Sequence, residues 1–139
     1  MIILDTNVLS ELTRVSPDQN VISWLDGLDA NDVGTTAVTA AELLYGVARL
    51  PAGARKTELT GAVAGLIEED LEGRVLPFDV AAASHYAIVV SDREKAGRPI
   101  AIADAQIAAI CRNLRATLAT RNTKDFSGTG VDLVNPWLS

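Results

Sequence analysis

The sequence predicts an α/β fold: a three-layer sandwich in which a short, mostly parallel β-sheet is flanked by helices on both faces. Short apolar, β-branched runs alternate with longer helical segments from one end of the chain to the other, the order that parallel sheets with helical crossovers require. With 139 residues, 48% of them hydrophobic, the chain is long enough and apolar enough to close one core. Aromatic residues make up only 4%, so that core rests on aliphatic packing.

Taken in order, Ile2–Leu4 reads as a buried strand. Asp5, Thr6 and Asn7 supply capping chemistry for a short helix over Val8–Leu12. A second helix is expected over Asp18–Gly27, with Val21, Ile22, Trp24 and Leu25 near one face, and a second strand over Asp32–Thr35. Thr39 with Glu42 three residues on has the spacing of a capping box, for a helix running to Leu50, where Pro51 and Gly53 stop it. A longer helix is expected over Ala54–Asp70 and a third strand at Val75–Leu76. Asp79 caps a helix over Val80–Ala96, which Gly97, Arg98 and Pro99 break. The next helix covers Ala103–Asn113, and Thr117–Ala119 and Val131–Val134 are the last strands. There is no repeat, linker or phosphate-binding glycine motif, so residues 1–139 are expected to form a single domain.

No run reaches the ~18 apolar residues of a membrane span, and an acid at position 5 follows the first apolar residues at once, unlike a signal peptide. A cytoplasmic chain with no membrane partner is the expectation. The lone Cys111, inside an Ala/Ile helical run, excludes an internal disulfide and reads as a buried structural thiol.

Four acids fall at the ends of apolar runs or at helix starts: Asp5, Glu42, Asp104 and Asp125. Singly each has an ordinary role, as an N-cap, half a capping box, a helix-dipole complement or a turn residue. Together they are expected to meet, because parallel α/β sheets bind ligands beyond the carboxyl ends of their strands. Two carboxylates about 4 Å apart repel by roughly 4 kcal/mol at an effective dielectric of about 20, so a shared proton or a cation is needed. All-oxygen donors suit Mg2+ or Mn2+; zinc is disfavoured, since His85 and Cys111 have no partner at ligand spacing. Thr6 and Asn7 beside Asp5, and Thr120 and Asn122 before Asp125, are candidate polar supports; Arg121 and Lys124 are candidate phosphate contacts.

These motifs resemble those of PIN-domain ribonucleases, in particular the VapC-type toxins of bacterial toxin–antitoxin pairs and their FitB-like members. The matching stretches are Met1–Glu11, Thr39–Gly46, Ile102–Ala109, Thr120–Phe126 and the tail Val134–Trp137. The resemblance places the family's metal-site acids on Asp5, Glu42, Asp104 and Asp125, all used in hydrolysis by a metal-activated water. It implies a PIN-like fold, Mg2+ or Mn2+ as cofactor, RNA as substrate, a homodimer, and a DNA-binding antitoxin that blocks the site.

A net charge of −6 speaks against nucleic acid on bulk terms. Three basic groups give a local answer: Arg49, Arg55 and Lys56; Arg93, Lys95 and Arg98; and Arg112, Arg115, Arg121 and Lys124. Two rival readings use the same residues: a nuclease-silent binding module on promoter DNA, or a metal-dependent phosphatase or DNA nuclease. Tyr45 and Phe126 are expected to pack rather than stack bases, Trp137 to dock the C-terminal tail, and Leu43, Leu44 and Val47 to join the core.

Overall fold

The computed structural model describes residues 1–139. Five strands form one sheet: β1 (Ile2–Leu4), β2 (Val33–Thr36), β3 (Val75–Leu76), β4 (Thr117–Ala119) and β5 (Asp132–Val134). Their spatial order is β3-β2-β1-β4-β5, and every pairing is parallel. β1 is central, with Ile3 beside Gly34 on one side and Leu118 on the other. The chain builds outward from β1 through β2 to β3, then crosses back to add β4 and β5 on the opposite side. That reversal opens a crevice at the carboxyl ends of β1 and β4, the switch point at which such sheets bind ligands.

Six helices cover the sheet: α1 (Thr6–Leu12), α2 (Gln19–Asp26), α3 (Ala37–Ala48), α4 (Ala54–Gly65), α5 (Val80–Lys95) and α6 (Ile102–Leu114). Alternation along the strands divides the core in two. Leu4, Val33 and Ala119 point to one face, where they meet Val8, Leu9 and Val21 and, from α3 and α4, Leu43, Val47 and Val63. Ile3 and Leu118 point to the other, where Val89 of α5 and Ala105, Ile107, Ala108 and Cys111 of α6 cover them. The predicted three-layer sandwich is therefore what the chain forms. Cys111 is fully buried, and that burial raises its thiol pKa to about 12, so it is inert.

Several boundaries differ from the sequence expectation. β2 runs one residue further than its apolar content suggests, so Thr36, not Thr39, caps α3; its Oγ1 accepts the Thr39 N–H at 3.1 Å. α6 begins at Ile102 without a side-chain cap. The helix expected to reach Asp70 ends as an α-helix at Gly65, and Leu66–Asp70 winds as one π-helical turn. The wider turn carries Leu66 and Ile67, with Leu71 just after it, onto the first core cluster. Phe126 packs as expected, but Tyr45 does not: it is 65% exposed, with the Arg49 guanidinium 5.7 Å over its ring. Leu44 is likewise exposed, because the core-facing stripe of α3 falls on Leu43 and Val47. No helix is long and apolar enough to cross a membrane.

Gly34 marks the tightest approach in the sheet. A Cβ there would lie 2.8 Å from the Arg74 carbonyl oxygen, a backbone atom that cannot swing aside. Gly34→Ala is expected to cost about 1–3 kcal/mol. Gly61→Ala, in open space inside α4, is expected to add about 0.5–1 kcal/mol. Thermal denaturation checks both; a Gly34→Ala protein that melts with the wild type contradicts this account of the β2–β3 contact.

Candidate active site

Asp5 is the residue immediately after β1, at the switch point. Its extended backbone makes it the N-cap of α1, and its Oδ1 accepts the Thr6 N–H at 2.8 Å. Oδ2 accepts the Thr120 hydroxyl at 2.8 Å and the Asn7 amide at 3.3 Å. Thr120 immediately follows β4, so this bond ties the two neighbouring strand ends together. The Thr120 oxygen also accepts from Asn7 Nδ2 at 3.2 Å and from the Asn122 N–H at 3.1 Å. One donor and two acceptor sites are thus all in use. Asn7 closes the ring by accepting the Arg121 N–H on its Oδ1 at 3.1 Å.

A second arm comes from α3. The Thr6 hydroxyl bonds Glu42 Oε1 at 2.8 Å and lies 3.2 Å from Thr39 Oγ1. Glu42 therefore serves no capping box; it points from the second turn of α3 across to the start of α1. Asp104, in the first turn of α6, is half-buried on the third side. Asp125 sits on the 3-10 turn Thr123–Phe126, anchored by the buried Phe126 ring. The Arg93 guanidinium, itself buried, holds that turn by donating to the carbonyls of Asp125 at 2.9 Å and Ser127 at 3.0 Å.

Asp5, Glu42 and Asp104 line one cavity of about 460 Å³ together with Thr6, Asn7 and Asn122. Thr120 lies beneath it, fully buried under Asp5. Asp125 is exposed and outside the cavity lining, as is Lys124, yet the Asp125 charge still acts on Asp104. The sequence reading missed four lining residues: Ser10, Glu11, Arg14 and Trp137. Glu11 is buried, accepting the Asp18 N–H at 2.8 Å and pairing with Arg14 at 3.2 Å. Its three-residue spacing to Arg14 was the available signal. As they stand, no three acidic, His or Cys groups are close enough to close on one ion.

The electrostatics combine burial of carboxylates with uncompensated like charge. Burial raises the Asp5 pKa, and Glu42 adds to the rise; the bonds from Thr120, Thr6 and Asn7 oppose it without cancelling it. Asp104 is lifted to about 6, first by burial and then by the charges of Asp5, Asp125 and Glu42, with Arg93 opposing.

Residues 2–131 match the PIN domain family. This chain is a PIN-domain protein. It is 41% identical over 137 residues to the VapC ribonuclease Y4jK of Sinorhizobium fredii, covering 99% of this chain and 98% of that protein. It is 43% identical to toxin FitB of Neisseria gonorrhoeae, covering 99% of each chain. A solved structure of FitAB bound to an IR36 DNA fragment superposes with a TM-score of 0.92 at 42% identity, covering 99% of this chain and 96% of that one. The PIN-domain resemblance read from Asp5, Glu42, Asp104 and Asp125 and their surrounding motifs is thereby confirmed at the level of family.

The raised Asp104 pKa fixes a pH dependence for this PIN domain. Between the ordinary value of 3.8 and about 6, the folded protein binds more protons than the unfolded chain. Stability therefore falls as pH rises through that window and stays lower above it. Asp104→Asn is expected to raise the melting temperature near neutral pH by about 2–4 °C, or about 1 kcal/mol after allowing for the exposure of Asp104. The two proteins should converge below about pH 4. A variant that melts lower than the wild type near neutrality would show that Asp104 stabilises the fold instead.

Proposed function

We propose that this chain, as one nuclease domain over residues 1–139, is the toxin of a toxin–antitoxin module and hydrolyses RNA phosphodiester bonds with a bound divalent cation. The observation that carries the reading is the cavity itself. Asp5, Glu42 and Asp104 face it, Asp125 reaches it through its field, and none of the four forms an ion pair. The donor set fits a hard cation. Every candidate ligand is a carboxylate oxygen, and Mg2+ keeps much of its water, so it does not need the acids to close tightly around it. When bound, such an ion neutralises phosphate charge and makes a water nucleophilic at neutral pH.

The remaining work falls to the chain's own groups. Thr120, Asn7 and the Thr6 N–H hold Asp5 in one orientation. The Thr6 hydroxyl holds one oxygen of Glu42 and leaves the other free. Asp104, whose pKa burial and the neighbouring acids raise to about 6, is mostly ionised at neutral pH and would offer its carboxylate to a cation. Arg121 on the cavity wall and Lys124 on the adjoining turn provide positive charge for the phosphates. The FitAB structure on an IR36 DNA fragment supports a DNA-bound assembly with a second protein; in this reading that partner is a DNA-binding antitoxin that covers the site, on a toxin homodimer.

Total bacterial RNA incubated with the wild type and Mn2+ is expected to yield discrete fragments. EDTA, Asp5→Ala or Asp104→Asn should reduce cleavage at least ~100-fold. Mn2+ should raise the melting temperature of the wild type and not that of Asp104→Asn. Undiminished cleavage in both variants would overturn the carboxylate mechanism. An absence of both cleavage and Mn2+ stabilisation would favour a silent binding module, and cleavage confined to DNA or phosphate monoesters would replace RNA as substrate.

A further inference from the structure

Two of the four carboxylates have no support of their own. Asp5 is held by Thr6, Asn7 and Thr120, and Glu42 by the Thr6 hydroxyl. No hydrogen bond or ion pair holds the side chain of Asp104 or of Asp125. Their placement therefore depends on the backbone that carries them. That backbone is weakly fixed from within. α6 starts at Ile102 without a side-chain cap, and the 3-10 turn Thr123–Phe126 has none either.

One side chain reaches both segments. Arg93, in the last turn of α5, is 7% exposed and forms no ion pair. Its Nε donates to the Arg98 carbonyl at 2.7 Å. Its Nη1 donates to the carbonyls of Asp125 at 2.9 Å and Ser127 at 3.0 Å. The Arg93 carbonyl in turn accepts the Arg98 N–H at 2.9 Å. Arg98 lies in the loop that leads into α6, and its guanidinium donates to the Ser127 hydroxyl. The loop before Asp104 and the turn bearing Asp125 are thus joined through one guanidinium. Burying a cation among neutral carbonyls is costly where an aliphatic side chain could pack. What Arg alone offers there is a rigid fork that spans two segments; Lys, with one nitrogen, is a point charge.

We propose that Arg93 is a positioning residue for the cation site: it sets the spacing of Asp104 and Asp125 by clamping the two backbone segments that carry them, and leaves both carboxylates free for the ion. The proposal rests on the metal-dependent reading of the site and adds to it a residue outside the cavity lining. The site then consists of two separately built halves. Asp5 and Glu42 are tied through α1, and Asp104 and Asp125 through Arg93.

Arg93→Lys tests this, because it keeps the positive charge and loses the fork. Without metal, the amides of Ala105 and Asp125, which bond the carbonyls of Ala101 and Asn122, are expected to exchange hydrogen faster in the variant. The amides of Asp5 and Val8, in the other half, should exchange at the wild-type rate. Calorimetric titration should show Mn2+ binding about 10- to 100-fold more weakly. Introduced into Asp125→Asn, the same substitution should cost about threefold or less, since the spacing it sets no longer serves two charged ligands. Arg98→Ala cuts only the exposed link to Ser127 and serves if Arg93→Lys does not fold. About two- to fivefold weaker Mn2+ binding is expected from it, and none would overturn the proposal. Wild-type Mn2+ affinity in a folded Arg93→Lys protein would also overturn it and leave the metal site standing. An equally large loss in the Asp125→Asn background would show that Arg93 supports the fold alone. A wild type that binds no Mn2+ would sink the metal reading and this proposal with it.

Discussion

The site is organised by one constraint: a carboxylate, Asp5, buried at the end of the central strand with no basic side chain paired to it. Only 5% of the residue remains exposed. A buried charge without partners is untenable, so the surrounding chain must supply donors. It supplies them from both sides of the switch point, the Thr6 N–H and Asn7 amide from α1 and the Thr120 hydroxyl from the end of β4. Satisfying Asp5 therefore fixes how the loop after β4 lies against α1. That loop carries Arg121 and Asn122 into the cavity wall and leads to Asp125. Positions far apart in the sequence become neighbours because one acid needs them.

Arg93 shows how the fold offsets part of the repulsion without filling the site. It is a buried guanidinium that bonds to no carboxylate; its acceptors are the backbone carbonyls of Arg98, Asp125 and Ser127. A direct ion pair with Asp104 or Asp125 would have occupied a carboxylate oxygen that the proposed cation would use. Bonding carbonyls instead anchors the Asp125 turn and leaves positive charge acting on Asp104 from a distance. Burial first, and then the remaining imbalance of charge, lifts Asp104 to about 6.

What could be read in the sequence follows from the range of the forces involved. The strands at Ile2–Leu4, Val75–Leu76 and Thr117–Ala119 match, because two-sided burial leaves a mark in a few consecutive residues. The Asp79 cap of α5 matches because capping is local. Thr39 reads as the cap of α3 where Thr36 serves, because both are threonines near one helix start, and only the register of β2 against β1 and β3 decides which keeps an extended backbone. The π-helical turn after Gly65 was hidden for a similar reason: it serves contacts made by Leu66 and Leu71 with distant residues. The acids themselves were legible as a set. The Asp5–Thr120–Asn7 ring was not, since it depends on β4 lying beside β1, and neither was the stacking of Arg121 on Trp137, which needs the C-terminal turn returned to the cavity.

The two halves of the site differ in rigidity. Asp5 and Thr120 are buried and fully bonded, on strand ends that pair with each other. Glu42 and Asp125 are exposed, one held by a single hydroxyl and the other carried on a short 3-10 turn. Asp104 lies between these extremes, on a helix whose Ala105, Ala108 and Ala109 are wholly buried and so fix its depth in the fold. A rigid ligand set would demand one ion geometry and one substrate position. In the proposed nuclease, a fixed floor with adjustable walls would instead let the outer carboxylates adapt to water and phosphate oxygens around the same centre. That division suits a site of mutually repelling acids and the hydrated cation proposed for it, which would bring its own shell of oxygens.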